Sequence, residues 1–206
     1  MSEHYFSAAP TSQHDLRRIR ADCACLSLWF DTDAGVFSRD GLDPGTKALI
    51  EALPPLTGRV LDLGCGWGPV GAFLKRLDPE IELVMSDVNP RAVELSRANL
   101  ALNGVQAQVL LSDGFDAIHG TFDAIVTNPP IRTGKESIYG LFRQAFERLN
   151  EGGALYIVIR KQQGAPSALK TLRELDPQAE VIARKGGYWV IRTGKENDAD
   201  TGGAYV

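Results

Sequence analysis

The stretch RVLDLGCGWGPVGAFLKRL, residues 59–77, joins an apolar strand to a helix through a glycine-rich turn. Residues 59–63 form a short, mostly apolar run, which is typical of a strand buried in a parallel sheet. After the turn, four apolar residues recur at helical spacing and form one stripe: Val70, Phe73, Leu74 and Leu77. A buried strand that passes directly into a helix indicates an α/β fold with a parallel sheet.

The rest of the chain repeats this alternation. Further strands are predicted at 81–87, 107–113, 122–128 and 154–160, and a closing hairpin at 179–184 and 188–192. Helices are predicted at 47–53, from Pro90 to about Asn103, from Ile138 to Leu149, and at 165–175. We therefore expect a doubly wound, Rossmann-like, mostly parallel sheet of seven strands with an antiparallel C-terminal hairpin. Two short strands, 16–23 and 26–30, would form a small N-terminal β extension.

The length of 206 residues suits one domain with one buried core. We assign residues 1–192 to this domain, with an N-terminal extension and a long loop in 1–45 and the Rossmann-like core in 46–192. The polar stretch 193–206 is predicted to be a disordered tail.

Composition and charge exclude several classes of protein. Hydrophobic residues make up 44% and charged residues 23%, as in an ordinary globular domain. The net charge of -4 argues against non-specific binding of nucleic acid over the whole surface, but it allows a local basic patch. Cys23 and Cys25 have no second pair, so no metal site is expected. The chain shows no membrane span and no signal peptide, so a cytoplasmic location is expected, and a monomer is favoured over an oligomer.

Residues that could bind a ligand follow three successive strands, where parallel sheets carry their sites. Glycines 64, 66 and 68 follow the first strand. Asp87 ends the second strand, roughly twenty residues beyond the glycines, and could accept both hydroxyls of a ribose. Asp113 ends the third strand and could accept a hydrogen bond from an adenine amino group. Each aspartate alone would more often be a cap or turn residue, but together they predict an adenosine-containing cofactor.

The glycines alone do not identify this cofactor. The dinucleotide fingerprint G-x-G-x-x-G fails from Gly64, because position 69 is proline, but it matches from Gly66 through Gly68 to Gly71. A nicotinamide-dependent oxidoreductase and a plain tight turn therefore remain alternatives at this point.

The stretch TNPPIRTGK, residues 127–135, follows the fourth core strand, and its two prolines cannot continue a strand ladder. An exocyclic amine of a nucleobase is a weak nucleophile because its lone pair is delocalised into the ring. The side-chain oxygen of Asn128 and a backbone carbonyl beside it could accept both N–H groups and aim the lone pair at a methyl donor. Pro129 and Pro130 would hold these acceptors in place. We therefore expect Asn128, Pro129 and Pro130 to be the catalytic residues of an amine methyltransferase.

These motifs, in this order, resemble those of class I S-adenosylmethionine-dependent methyltransferases. The motifs are DLGCGWG (62–68), SDVN (86–89), SDG (112–114) and NPP (128–130). The longer stretches are similar to the methyltransferase small domain family, which includes RsmC-like bacterial guanine-N2 methyltransferases of small-subunit ribosomal RNA. Those stretches are GVFSRDGLDPGT (35–46), NPPIRTGK (128–135) and GGALYIVIRKQQGA (152–165). The resemblance covers about residues 3–192 and fits the single-domain members.

The resemblance implies a binding site for S-adenosylmethionine built from several segments. The residues expected at the methionine and ribose portion are Asp62, Gly64, Gly66 and Gly68. Those expected at the ribose hydroxyls and the adenine are Asp87, Val88 and Asp113. Those expected in a loop that covers the cofactor are Phe37, Ser38 and the segment 43–46, which ends at Thr46. Asn128 is expected to touch both the cofactor and the target amine.

Two departures from the family leave the substrate open. Many amino-methyltransferases carry an aromatic residue after Asn-Pro-Pro, but Ile131 stands here, which weakens the case for DNA adenine or protein glutamine. The two-domain ribosomal RNA enzymes also have an additional N-terminal domain that this chain does not match. The expected reaction is methylation of a guanine N2 amino group in ribosomal RNA. The alternatives are a tRNA, protein or small-molecule methyltransferase, or an inactive domain that only binds the cofactor.

Basic residues that could contact RNA fall into four groups along the chain. The groups are Arg17, Arg18 and Arg20; Arg132 and Lys135; Arg160 and Lys161; and Arg184 and Lys185. Because Arg132 and Lys135 flank the Asn-Pro-Pro segment, we expect them to contact the phosphates of an RNA substrate.

Overall fold

A computed structural model of the chain describes residues 13–130 and 134–196. The strands are β1 (Arg17–Cys23), β2 (Leu26–Thr32), β3 (Arg59–Leu63), β4 (Glu82–Asp87), β5 (Gln108–Leu111), β6 (Phe122–Thr127), β7 (Leu149–Arg160), β8 (Glu180–Lys185) and β9 (Tyr188–Gly194). The α-helices are α1 (Pro44–Ala52), α2 (Pro69–Leu77), α3 (Pro90–Leu102), α4 (Lys135–Glu147) and α5 (Ala165–Arg173). A short 3-10 helix, Lys161–Gln163, lies between β7 and α5.

One sheet of seven strands has the order β5-β4-β3-β6-β7-β9-β8. Strands β5, β4, β3, β6 and β7 are all parallel to their neighbours. Strand β9 pairs antiparallel with both β7 and β8, so the C-terminal hairpin closes one edge. The predicted mostly parallel sheet is confirmed, and the expected N-terminal β extension is a separate antiparallel pair of strands, β1 and β2.

Helices cover both faces of the sheet, as in a doubly wound fold. Val60 of β3 packs in the core that contains Phe73 of α2, whereas Leu61 packs in the core that contains Phe142 of α4. Successive residues of a strand point to opposite faces, so each central strand supplies both cores. Helices α1, α2 and α3 lie on the first face, and α4 and α5 lie on the second.

The chain reverses its direction across the sheet between β3 and β6. Strands β4 and β5 extend the sheet on one side of β3, and β6 and β7 extend it on the other. Leu63 and Thr127 are the last paired residues of β3 and β6, and the Thr127 hydroxyl donates to the Leu63 carbonyl over 2.8 Å. The glycine turn and Asn128 therefore leave the sheet side by side, at the position where open α/β sheets bind ligands.

Asn99 of helix α3 and Asn103, its C-cap residue, attach the N-terminal hairpin to this helix. The Asn99 side chain accepts from the Asp31 N–H over 2.7 Å and donates to the Asp31 carbonyl over 2.8 Å. Asn103 makes the same pair of bonds with Trp29, at 3.2 and 2.7 Å. The backbone of β2 is thus bonded to α3 and its C-cap, while the buried ring of Phe30 packs in the core against Trp67 and Phe73.

The C-terminal boundary differs from the prediction. Residue 193 was expected to begin a disordered tail, but β9 continues to Gly194. Thr193 is fully buried; its hydroxyl donates to Asp176 over 3.1 Å, and the Gly194 N–H donates to the same carboxylate over 2.9 Å. The prediction was wrong because it took polar composition as a sign of disorder, whereas a polar residue can be buried when its hydrogen bonds are satisfied. Residues 197–206 lie outside the described part of the chain.

Asp62 connects β3 to the helix that follows it. Its buried carboxylate accepts the Gly71 N–H over 3.0 Å, so it stabilises the first turn of α2. Burial raises the pKa of Asp62 to about 7; the Gly71 N–H opposes this effect, and the negative charge of Asp87 adds to it. The folded protein therefore holds a proton on this carboxyl at a pH where the unfolded chain has lost it.

Replacing Asp62 with asparagine should flatten the pH dependence of stability. The pKa of Asp62 is about 7 in the folded protein and 3.8 in the ordinary case. The proton on Asp62 therefore contributes most to the free energy of unfolding below about pH 4, and this contribution declines as the pH rises to about 7. The slope from one such proton is at most about 1.4 kcal/mol per pH unit. Asparagine keeps an oxygen for the Gly71 N–H but carries no titrating proton. Urea unfolding of both proteins across this range measures the difference, and an unchanged slope in Asp62→Asn would contradict the assignment.

Candidate active site

The glycine turn, Asp87 and Asn128 meet at the carboxyl ends of β3, β4 and β6. They line two adjoining cavities, and Gly64, Asp87 and Asn128 belong to the walls of both. A ligand that fills both cavities would contact residues from three strand ends at once. This edge of the sheet is the candidate active site.

Three glycines hold the turn in a backbone conformation that other residues rarely adopt. The φ angle is 78° at Gly64, 57° at Gly66 and 90° at Gly68. A Cβ atom added at Gly64 or Gly66 would meet no other atom, so the backbone angle, and not crowding, requires glycine there. The Gly64 N–H donates to the Ser86 carbonyl over 2.8 Å, which ties the turn to β4.

Gly71, the last glycine of the alternative dinucleotide fingerprint, has a packing role. A Cβ atom at this position would lie 2.5 Å from the sulfur of Met85, a fully buried residue of β4. A side chain at residue 71 would require the Met85 side chain to move, so glycine here allows α2 to pack closely on β4. The third glycine of the dinucleotide fingerprint has the same packing role, so the G-x-G-x-x-G match does not by itself identify the cofactor.

Asp87 lies at the centre of the site and also holds it together. One carboxylate oxygen accepts the Gly66 N–H over 2.8 Å, and the other accepts the Asn89 N–H over 2.9 Å. Burial raises the pKa of Asp87, and these backbone N–H groups oppose that effect. Each carboxylate oxygen has a further lone pair, so Asp87 can accept ligand hydroxyls without breaking these bonds.

The second cavity combines an apolar wall with one exposed carboxylate. Val88, Ile138 and Leu141 supply apolar surface, and Ser112 is buried beside them. Asp113 lies at the exposed tip of the loop after β5 and belongs to the same wall. The structure thus brings Val88 and Asp113 to the cavity that Asp87 also lines. A flat ring could pack against the apolar residues while its polar edge meets Asp113.

The loop between β2 and α1 covers the first cavity. Its residues in that cavity wall are Phe37, Ser38 and Asp43, and Thr46 of the first turn of α1 lies beside them in the same wall. Side chains of the site bond to this loop: the Trp67 ring N–H donates to the Phe37 carbonyl over 2.9 Å, and Asn89 donates to the Gly35 carbonyl over 2.9 Å. The expected covering loop is therefore placed over the glycine turn.

The Asn128 side chain points toward the start of α1. Its amide nitrogen donates to the Asp43 carboxylate over 3.1 Å and to the Thr46 hydroxyl over 3.0 Å. Both N–H groups of the amide are thus used within the protein. Within residues 13–130 and 134–196, no donor contacts the amide oxygen, so this oxygen is the atom that a ligand can reach. Pro129 is buried directly after it.

Asp43 and Thr46 were expected in the covering loop, but their contact with Asn128 was missed. The start of α1 at Asp43 could have been predicted from the sequence, because an aspartate followed by a proline is typical of a helix N-terminus. Asp43 is the N-cap of α1 and Pro44 its first residue, whereas the helix had been predicted from residue 47. The contact across the chain has no signal in a single sequence.

The basic groups differ in how the structure uses them. The three N-terminal arginines are paired with neighbouring acids: Arg17 with Asp40, Arg18 with Asp31 and Arg20 with Asp22. They therefore offer less attraction to phosphate than their number suggests. Arg132 lies outside the described residues, and the side chain of Lys135, at the start of α4, is also not described.

Arg160 and Lys161 are exposed at the carboxyl end of β7, on the edge of the sheet that carries the site. The Arg160 guanidinium lies 5.9 Å from the centre of the Tyr188 ring. Arg184 lies 4.9 Å from the Trp189 ring, and Lys185 pairs with Glu51 of α1. Of these four cations, Arg160 and Lys161 are the better placed for a substrate that approaches Asn128.

In the described part of the chain, no three His, Cys, Asp or Glu side chains cluster where they could hold a metal ion. Nor does any helix there have the length and apolar character needed to cross a membrane.

Comparison with known proteins identifies the family. The family model described as the methyltransferase small domain matches residues 27–192. The chain is 40% identical over 200 residues to the uncharacterized protein YbxB of Bacillus subtilis, and the match covers 95% of this chain and 100% of that protein.

Two further relatives have names that state an activity. The ribosomal RNA small subunit methyltransferase C of Salmonella paratyphi B is 41% identical over 186 residues, covering 88% of this chain and 54% of that protein. This chain thus spans about half the length of that relative. The solved structure of the T. thermophilus 16S rRNA N2 methyltransferase RsmC, in complex with AdoMet and guanosine, matches with a TM-score of 0.79 and 28% identity, covering 91% of this chain and 52% of that one. The chain therefore belongs to the methyltransferase small domain family of S-adenosylmethionine-dependent methyltransferases.

Proposed function

We propose that this protein methylates an exocyclic amine, the N2 amino group of a guanine in ribosomal RNA. The observation that carries the proposal is the Asn128 side chain, whose nitrogen is bonded to Asp43 and Thr46. The amide oxygen is left as an acceptor beside both cavities. A target amine needs such an acceptor, because its own N–H groups are donors.

The two cavities fit S-adenosylmethionine. Asp87 would accept the ribose hydroxyls, and Asp113 would accept the adenine amino group, with Val88 against the ring. The glycine turn lets the backbone approach the methionine portion, since Gly64 and Gly66 place no side chain in the cavity wall. Phe37 and Thr46 would cover this portion from the other side.

The residues of the Asn-Pro-Pro segment would act by positioning the amine. When bound, the cofactor supplies an electrophilic methyl group on a sulfonium sulfur. The Asn128 oxygen would accept one N–H of the amine, and a carbonyl of the same segment would accept the other. These bonds favour a pyramidal nitrogen whose lone pair faces the methyl group, and the prolines keep both acceptors fixed. As the new carbon–nitrogen bond forms, the methyl carbon–sulfur bond would break and a neutral thioether would leave; the methylated nitrogen would carry a positive charge until it loses a proton to solvent.

The names of two relatives favour guanine in ribosomal RNA over other amines as the substrate. The Salmonella relative is named as a small-subunit ribosomal RNA methyltransferase, and the T. thermophilus structure contains guanosine. A guanine inside a helix is shielded by stacking, so the target base must be unpaired or flipped outward to reach Asn128. Arg160 and Lys161, and by expectation Arg132 and Lys135, would contact the neighbouring phosphates.

Replacing Asp87 with alanine should weaken the binding of S-adenosylhomocysteine by about 1–3 kcal/mol, because hydrogen bonds to a charged acceptor are lost. Asp87→Asn, which keeps one acceptor oxygen, should lose less. Calorimetry measures both, with the exposed hairpin residue Asp22 changed to alanine as the control. Tighter binding of NAD than of S-adenosylhomocysteine by the unchanged protein would contradict the cofactor.

Incubation with methyl-labelled S-adenosylmethionine and separate pools of ribosomal RNA, tRNA, DNA and protein tests the substrate. We expect label in ribosomal RNA, at one guanine. Asn128→Ala should reduce turnover on the order of a hundredfold and leave cofactor affinity nearly unchanged, as for other preorganised polar groups. Label chiefly in tRNA, DNA or protein would contradict ribosomal RNA as the substrate. Loss of cofactor affinity in parallel with turnover would make Asn128 mainly a cofactor ligand.

A further inference from the structure

The direction in which the Asn128 amide points is decided by its neighbours at the start of α1. The amide nitrogen is 3.1 Å from the Asp43 carboxylate and 3.0 Å from the Thr46 hydroxyl. A carboxylate can only accept hydrogen bonds, so it requires the nitrogen, and not the oxygen, of the amide to face it. With the amide turned the other way, two oxygens would face each other and repel.

Asp43 is itself held by its role as the N-cap of α1. The carboxylate oxygen that meets Asn128 also accepts the Thr46 N–H over 2.9 Å. Pro44 follows as the first helical residue and restricts the backbone of the turn. The carboxylate and the hydroxyl that bind Asn128 therefore belong to one short, rigid turn.

The first turn of α1 packs against the sheet at Gly45, which has no side chain. A Cβ atom at Gly45 would lie 2.7 Å from the Tyr188 ring and 2.8 Å from the Asp43 carboxylate. The close contact with Tyr188 of β9 thus depends on glycine. A second contact between α1 and the hairpin comes from the ion pair of Glu51 with Lys185. Helix α1 is thereby fixed relative to the seven-stranded sheet, and Asn128 follows β6 of the same sheet.

We propose that Asp43 and Thr46 are positioning residues that hold the Asn128 oxygen toward the substrate amine. The proposal rests on the proposed function, in which that oxygen accepts an N–H of the amine. Two effects would follow. The amide is kept in one orientation, so no fraction of the enzyme presents its nitrogen to the amine. The two donated hydrogen bonds also polarise the amide, and an oxygen with more negative charge is a better acceptor for a nitrogen that becomes positive.

Thr46→Val and Asp43→Ala test the effect on catalysis at saturating cofactor and RNA. Valine has nearly the shape of threonine but no hydroxyl, and alanine removes the carboxylate. Each variant should lower kcat on the order of tenfold to a hundredfold, as expected when a catalytic group is misplaced. Thr46→Ser, which keeps the hydroxyl, should restore most of the loss. Thr121→Val, at an exposed threonine before β6, is the matched control and should leave kcat unchanged.

A second set of variants separates positioning from helix stability. Asp43→Ser keeps an N-cap for α1 but has a shorter side chain and no charge. It should retain the thermal stability of the protein and still lose turnover. Gly45→Ala places a Cβ atom against both the Tyr188 ring and the Asp43 carboxylate, so it should lower kcat and thermal stability together, in contrast to Asp43→Ser. Full turnover in Asp43→Ser and Gly45→Ala would overturn the proposal.

NMR of the side-chain amide provides a readout that needs no substrate. The two N–H signals of Asn128 are identified by their absence in Asn128→Ala. In the unchanged protein both hydrogens should be protected from exchange with solvent; in Thr46→Val and Asp43→Ala the signals should shift and exchange at least tenfold faster. Unprotected amide hydrogens in the unchanged protein would overturn the proposal.

The outcomes distinguish this proposal from the proposed function. If no RNA is labelled by the unchanged protein, the proposed function fails, whereas the protected amide still supports the orientation assigned to Asn128. If RNA is labelled and Asn128→Ala is inactive, but Thr46→Val and Asp43→Ala keep their full kcat, the function stands and the positioning role is wrong.

Discussion

The site depends on the parallel pairing of β3 with β6. Leu63 and Thr127 are register partners at the ends of these strands, and the Thr127 hydroxyl bonds to the Leu63 carbonyl. The chain makes two strands between them on one side of β3 before it returns on the other. This topology places the glycine turn beside the Asn-Pro-Pro segment, although strands β4 and β5 and helices α2 and α3 lie between them in the sequence. A cofactor on the turn and an amine on Asn128 would then be neighbours.

Acidic side chains hold the site together as well as lining it. Asp62 bonds to the first turn of α2, Asp87 to the glycine turn and Asp43 to the first turn of α1. Each accepts backbone N–H groups that would otherwise lack partners at a turn or a helix start. Burial raises the pKa of both Asp62 and Asp87, because a buried carboxylate loses the solvation of its charge, and the backbone N–H groups that donate to them oppose this effect.

The element pattern was readable from the sequence because it depends on local chemistry. The run at 59–63, the glycines after it and the apolar stripe of α2 each follow rules of strand burial, turn conformation and helical periodicity. Asn89 and Pro90 likewise mark the start of α3, where the structure has them. The prediction was wrong at Thr193, where polarity was read as disorder and the Asp176 carboxylate instead provides a buried partner.

The sequence by itself determined the strand and helix alternation, the positive-φ turn and the presence of an amide on stiff backbone at a strand end, because these depend on residues near each other in the chain. Only the tertiary structure decided what that amide faces. Asp43 and Asn128 are brought together by the covering loop, α1 and β6, and the direction of the Asn128 side chain follows from the carboxylate that it meets. A hydrogen bond between distant residues depends on how whole elements pack, and no local pattern in one sequence encodes it.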